Sequence, residues 1–275
     1  MRKRNVGKII IYLFAIFWTV MTLFPLLITF LCSVKDNSGI TLGMFSWPKV
    51  FQWSNYVDAI QAAHILRAVM NSLFVSLVST MAVIIIGMFA AYVLSRKKFK
   101  MRGIIYSLFL VGVMVPVHCT IIPISGMATI TGGKNTFWFL ILIYIAFNLS
   151  QAIFLFTGYL KGIDKELDEA AIIDGCNDFQ LLTRILFPVS IPIISTEAIL
   201  AFIYGYGELI FAMILMTDVN KYTVSRAMLT FQGGYNVSLG PIFACIIIAV
   251  LPMVLIYILF HEKVQEGMLT GAVKG

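Results

Sequence analysis

Charge is what this chain has least of. Only 12% of its 275 residues are Asp, Glu, Lys or Arg, while 60% are hydrophobic. A soluble domain carries about 25% charge, and no water-soluble fold of this length has a core able to hide so much apolar side chain. Soluble classes are therefore excluded, and the solvent is largely lipid. Cysteine is scarce and scattered: Cys32, Cys119, Cys176 and Cys245 show no paired spacing. That excludes a metal cluster or a disulfide framework and leaves them as small apolar residues. Histidine is scarcer still, with His64, His118 and His261 far apart, and there is no nucleophile elbow. The nearest imitation of a phosphate loop, Gly126 to Lys134, has Ala128 where the first glycine belongs and Asn135 after the lysine. No catalytic, metal or cofactor site is expected in the chain itself.

What is present is a set of apolar runs. A helix needs about 20 apolar residues to cross the hydrocarbon core, and such runs lie at about 9–32, 72–94, 104–126, 137–159 and 239–260. A sixth, at about 192–216, is interrupted by Glu197 and Glu208. The first run follows Arg2, Lys3, Arg4 and Lys8 as a signal peptide would. It is too long for one and lacks a small-residue cleavage site, so it reads as an anchor. The expected fold is an all-α membrane protein with six transmembrane helices.

Lys and Arg in the connections set the orientation. The N-terminus, the 95–103 loop (Arg96, Lys97, Lys98, Lys100, Arg102), the 160–187 loop and the tail together hold 14, and the opposite connections hold six. The richer side is cytoplasmic, which places both termini there in a multi-pass plasma-membrane protein. The basic run at 96–102 anchors topology, and no nucleic-acid partner is expected. The outer segment 33–69 carries Phe45, Trp47, Pro48, Phe51, Trp53 and Tyr56. Such aromatics belong either to the membrane interface or to a docking surface.

One cytoplasmic segment breaks the membrane pattern. From Lys161 to Gly175 the residue types spell a short helix, with Asp164 as N-cap, Asp168 and Glu169 near its positive end and Gly175 at C′. Leu167, Ala170, Ala171 and Asp174 share a stripe, and the two alanines make that face small enough for another protein to approach. Asp178 is placed to cap a second helix, Phe179 to Phe187, closed by Pro188. On residue chemistry alone, docking site and plain surface helix stay equally open.

These residues also carry a resemblance. Glu169-Ala170-Ala171, Gly175, Ile185 and Pro188 have the spacing of the EAA loop of ATP-binding-cassette importer permeases, and Asp174-Gly175 is the form of the carbohydrate, maltose-type branch. Further similarities are Asn55-Tyr56-Val57, Asn71-Ser72-Leu73, Ala90-Ala91-Tyr92 with Ser95-Arg96, Met114-Val115-Pro116, Leu251-Pro252 and the tail from Gly267 to Gly275. Phe187 replaces the usual leucine before proline, and Asp164 stands where many members have proline. The sequence Phe202-Ile-Tyr-Gly205-Tyr-Gly-Glu208 lacks the Trp-Asn pair common in that span.

The resemblance implies a type I importer permease. Residues 1–66 would be an N-terminal span with its extracytoplasmic loop, 67–262 the core permease with the EAA loop at 161–188, and 263–275 a cytoplasmic tail. Glu169, Ala170, Ala171, Asp174, Gly175, Ile185 and Pro188 would couple to the ATPase, and Gly267, Gly271, Lys274 and Gly275 would reach it from the tail. The implied partners are a second permease in a heterodimer, two ATP-binding-cassette subunits that use the ATP, an extracytoplasmic solute-binding protein and a sugar cargo. A non-sugar such as glycerol phosphate is the alternative cargo, and a passive channel or receptor the alternative class. For the path itself, Glu197, Ala201, Tyr204 and Glu208 follow helical spacing and are expected on one face, since ionisable residues turn away from lipid. The alternatives are that both glutamates pair with groups on neighbouring spans, and that Gly205 and Gly207 break the helix.

Overall fold

Long apolar runs with few helix breakers fold as long helices, because lipid offers backbone groups no hydrogen bonds. The computed structural model describes residues 2–233 and 236–272, with side chains for 8, 11–232 and 237–258. Lys274 and Gly275 lie outside the described residues, as do the side chains throughout the tail.

The chain runs α1 (Arg2–Ser33), α2 (Asn37–Leu42), α3 (Ser54–Gln61), α4 (Ile65–Arg96), α5 (Arg102–Met114), α6 (Ile121–Ile130), α7 (Phe137–Lys161), α8 (Glu166–Ile173) and α9 (Asp178–Gln180). A π-helical turn, Leu181–Leu186, leads to α10 (Phe187–Val189), followed by α11 (Ile191–Gly207), α12 (Ile210–Leu215), α13 (Val224–Met228), a two-residue ladder of β1 (Gln232–Gly233) and β2 (Asn236–Val237), and α14 (Leu239–Ala272). Among the described residues, four stretches are long and apolar enough to cross a membrane, in α1, α4, α7 and α14. Two bent pairs, Arg102–Met114 with Val117–Ile130 and Asp178–Val189 with Ile191–Gly207, make up to six if each pair is one span. The molecule is an all-α membrane protein.

Two expected spans are broken. The run at 104–126 bends by 95° after α5. Val115 is extended (φ −69°, ψ 119°) because Pro116 excludes helical backbone from the residue before it. The run at 192–216 stops at Gly207, Glu208 is extended (φ −63°, ψ 127°), and α12 starts anew. The face expected to join Glu197 to Glu208 is therefore interrupted.

Contacts gather the chain into two units, residues 1–66 with 227–254 and residues 67–226 with 255–275. In the first, α1 presents exposed side chains from 11 to 27, as a span surrounded by lipid does. In the second, Met88, Ala91 and Tyr92 of α4 and Ala152, Phe156 and Leu160 of α7 share a core with Ala171, Leu181, Leu182, Leu186 and Ile194. The segment expected to be cytoplasmic is thus seated on the ends of two long helices.

Candidate coupling site and transport path

The knob formed by α8 to α10 differs from the sequence expectation in how it is capped. Lys165 takes the N-cap position of α8 with no side-chain hydrogen bond. Asp164 contributes only its backbone carbonyl, to Leu167 N at 3.4 Å. In the second short helix Asn177, not Asp178, is the cap, in a capping box: its side chain accepts from Gln180 N at 2.9 Å, and Gln180 Oε1 accepts from Asn177 N at 3.0 Å. The regular helix expected from Phe179 to Phe187 widens into the π turn. Pro188 has no N–H for the carbonyl four residues back, which removes one bond of the α register.

Asp178, freed from capping, accepts from Tyr92 Oη at 2.9 Å and pairs with Lys97 Nζ at 2.6 Å. These contacts hold its carboxyl below the usual range, Lys97 first and Tyr92 second. On the other arm Asp168 pairs with Arg96, Nε to Oδ2 at 2.7 Å, in a nearly enclosed position. Burial there outweighs the guanidinium and pushes the Asp168 carboxyl up. The basic residues read as topology anchors are therefore also structural ties. A signal was present in the sequence: two acids flank the Gly175 turn, and two bases stand at the end of the apolar run that becomes α4.

The two alanines part company. Ala171 is buried in the core, while Ala170 faces out with Glu169, Asp174 and Gly175. The expected common stripe from Leu167 to Asp174 is thus divided by Ala171. Gly175 has φ +84° and nothing within 4 Å of where a Cβ would stand, so it serves the turn and not a close approach within the chain. Ile185 is half-buried and Pro188 exposed. Around the turn Ile172, Ile173 and Phe179 are 59%, 84% and 62% exposed. A knob that spends apolar side chains on its outer side is built to be covered.

In the membrane, Glu197 of α11 is wholly buried, and neither carboxylate oxygen has a donor in good geometry among the described residues. Gln151 of α7 is its polar neighbour. Tyr204 is half-buried, its ring edge-on to Tyr144 at 6.0 Å and its hydroxyl without a hydrogen bond among the described residues. Glu208 is fully occupied. It accepts from Tyr144 Oη at 2.9 Å, from Phe211 N at 2.8 Å and from Ala212 N at 3.1 Å, which covers the first N–H groups of α12 from the residue before its N-cap, Leu209. Gln151 and Tyr144 escaped the sequence reading, although both are polar groups inside an apolar run. Gly267 and Gly271 lie within α14.

At the other end of this unit, Asn135 (φ 56°) accepts from Thr217 N and Asp218 N through its side chain and takes Lys221 Nζ on its carbonyl at 2.7 Å. In the first unit the aromatics of 45–56 are mostly exposed, and Tyr56 Oη meets Ser33 Oγ at 2.7 Å. Asn55 Nδ2 donates to the carbonyls of Ser33 and Lys35 at 2.9 and 2.8 Å. The side chain of Lys35, itself buried, reaches the carbonyls of Gly43 and Met44.

Comparison with known proteins bears on family and fold. The family model described as binding-protein-dependent transport system inner membrane component matches residues 83–269. The chain is 31% identical over 274 residues to the probable ABC transporter permease protein YurM of Bacillus subtilis, covering 100% of this chain and 91% of that one. It is 29% identical to the diacetylchitobiose uptake system permease protein NgcG of Streptomyces coelicolor, covering 93% and 85%. In fold it is similar to a chain of a bacterial ABC transporter involved in the import of the acidic polysaccharide alginate, with a TM-score of 0.78, 19% identity and coverage of 95% and 98%.

Proposed function

The chain belongs to the family of binding-protein-dependent transport system inner membrane components, and from that membership we propose that it is one permease subunit of an ATP-driven sugar importer. The observation that carries this reading is the outer side of the knob. Glu169, Ala170, Ile172, Ile173 and Asp174 surround the Gly175 turn, exposed, on a segment whose inner side is anchored in the core. A partner's surface is the natural cover for these side chains. We assign that partner as the ATP-binding-cassette subunit, two copies serving this chain and a second permease. Closure of the ATPase pair would displace the knob and rock the spans between inward-open and outward-open states.

In this reading the chain hydrolyses no ATP and binds no cofactor, both termini are cytoplasmic, and the tail with Gly267, Gly271, Lys274 and Gly275 approaches the ATPase. An extracytoplasmic solute-binding protein delivers the cargo. The diacetylchitobiose permease is a relative across most of both chains, and the apolar interiors of the spans hold no Lys or Arg to neutralise an organophosphate. Both favour a neutral sugar over a glycerol phosphate. Tyr204 is the path-lining candidate in this conformation, and Glu197, wholly buried within the chain, would join it only where the spans rock apart. Glu208, already bonded three times, supports the path by capping.

The test is co-purification of the ATPase subunit with Gly175→Val and Glu169→Lys variants. Val is strained at φ +84°, and Lys reverses an exposed charge. Both variants should insert normally and lose the ATPase and sugar uptake together. Retention of both by either variant would remove the knob from the interface.

A further inference from the structure

α4 ends at Arg96, and the two residues at its end each hold a different arm of the knob. Arg96 Nε lies 2.7 Å from Asp168 Oδ2, with the side chains 6% and 13% exposed. The same guanidinium donates from Nη2 to the Ile163 carbonyl at 3.2 Å. Lys97 Nζ lies 2.6 Å from Asp178 Oδ2, with the side chains 44% and 63% exposed. Asp168 precedes the Gly175 turn and Asp178 follows it. The knob therefore has two charged ties to one helix end, and only one of them is shielded from water.

That asymmetry separates their roles. An exposed lysine pair is screened and loosely held, because a flexible stem carries a point charge in high dielectric. A guanidinium is a rigid fork, and here it is held on two sides, by the charge of an α8 carboxylate 2.7 Å from Nε and by a hydrogen bond from Nη2 to the carbonyl of Ile163, just before α8. Beside the packing of Ala171 against α4 and the hydrogen bond from Tyr92 to Asp178, force applied to the exposed side of α8 meets one stiff charged connection to α4 and one soft one.

We propose that Arg96 is the positioning residue that joins α8 to the end of α4, so that displacement of the knob is passed to that span as the motion of one body. Lys97 has no such part. The proposal rests on the reading of α8 as the ATPase contact. A purely structural role for Arg96 predicts something else: loss of the pair would lower insertion or assembly and leave the transmitted motion unchanged in whatever complex survives.

The experiment uses the assembled complex of this chain, the second permease and two ATPase subunits, with Cys32, Cys119, Cys176 and Cys245 of this chain replaced. Spin labels on V93C of α4 and K165C at the start of α8 report their separation, without nucleotide and after trapping with ATP and vanadate. With Arg96 present, and equally with K97M, the distance distribution should be narrow and the same in both states. With R96M it should shift and broaden on trapping, while the ATPase still co-purifies and hydrolyses ATP. The double variant R96M/D168L strands no charge, so it carries the test where R96M fails to insert. A distance in the double variant that stays fixed on trapping overturns the proposal, and so does failure of both variants to insert, which would assign the pair to folding. Failure of the docking reading shows separately, as undiminished ATPase binding by Gly175→Val and Glu169→Lys.

Discussion

The hydroxyl of Tyr144 donates to Glu208 Oε2 at 2.9 Å where α11 gives way to α12. The carboxylate also accepts from two N–H groups that open α12. A charged residue inside an apolar run is thus accounted for by the backbone it satisfies. E208A should lower the melting temperature of the purified complex through a cap loss of about 1 kcal/mol, with lipid offering no replacement donor or acceptor. Y144F should cost about 1.5–3 kcal/mol, as for a hydrogen bond to a charged group. A fall in uptake by E208A with an unchanged melting temperature would contradict the capping role.

The enclosed Arg96–Asp168 pair should respond differently to one substitution and to two. R96M leaves Asp168 buried without its partner, at a cost of about 3–5 kcal/mol, whereas R96M/D168L should be within about 1 kcal/mol of the parent or more stable. The pKa direction agrees. Asp168 is raised by burial, so its contribution is present below an unfolded value of about 3.9 and lost as pH rises through the folded value. Its charge opposes the fold at neutral pH, and Arg96 makes that charge tolerable. Thermal melting of the three proteins measures the contrast.

The exposed Lys97–Asp178 pair has the opposite sign at its acid. Asp178 is lowered, by Lys97 first, so its contribution is present above about 3.9 and lost as pH falls through the depressed folded value. Lys97 is raised by the same hydrogen bond, and its contribution is present below about 10.4 and lost above the folded value. Between these limits the pair should be insensitive to pH. A double-mutant cycle with K97M and D178N should give a coupling of about 0.2–1 kcal/mol that vanishes in 1 M salt. A larger, salt-resistant coupling would show that the pair is not solvated as described.

In the first unit, Asn55 Nδ2 serves two carbonyls at once, those of Ser33 and Lys35. N55D replaces that donor with an acceptor, turns it on two carbonyls, and should cost about 1–3 kcal/mol for each group left unsatisfied. Gly240 packs directly on this amide: a Cβ there would stand 2.5 Å from Nδ2. G240A should therefore displace Asn55 and destabilise the same loop. Limited proteolysis of the 34–52 segment reads both variants, and protection equal to the parent would refute the link.

Much of the fold was legible because lipid makes hydropathy an almost direct record of span position. The runs at 72–94 and 137–159 lie inside α4 and α7, which extend beyond them as Ile65–Arg96 and Phe137–Lys161. Breaks were harder to read. Pro116 announces a kink but not a bend of 95°, and the extended residue at Glu208 follows from a carboxylate meeting N–H groups three and four residues on, which periodicity does not encode. At the knob, Gly175 was legible because a left-handed turn selects glycine. The exchange of capping roles between Asn177 and Asp178 was not, since it depends on Tyr92 and Lys97 arriving from a distant segment. The burial of Ala171 against α4 and α7 was hidden for the same reason: helical spacing gives a stripe, and tertiary packing decides which half of it is covered.

Glu197 also bears on how the chain is made. A carboxylate near the middle of a nascent span resists partition into lipid, at about 2.5–3.5 kcal/mol on insertion scales. Its polar neighbour Gln151 and the hydroxyl that reaches Glu208 both belong to α7, which leaves the ribosome first. α11 therefore has a waiting surface when it emerges, and its entry into the bilayer is favoured as a pair with α7, not alone. Synthesis order and packing order coincide here, so a permuted gene that delivered α11 before α7 would be expected to stall at the translocon.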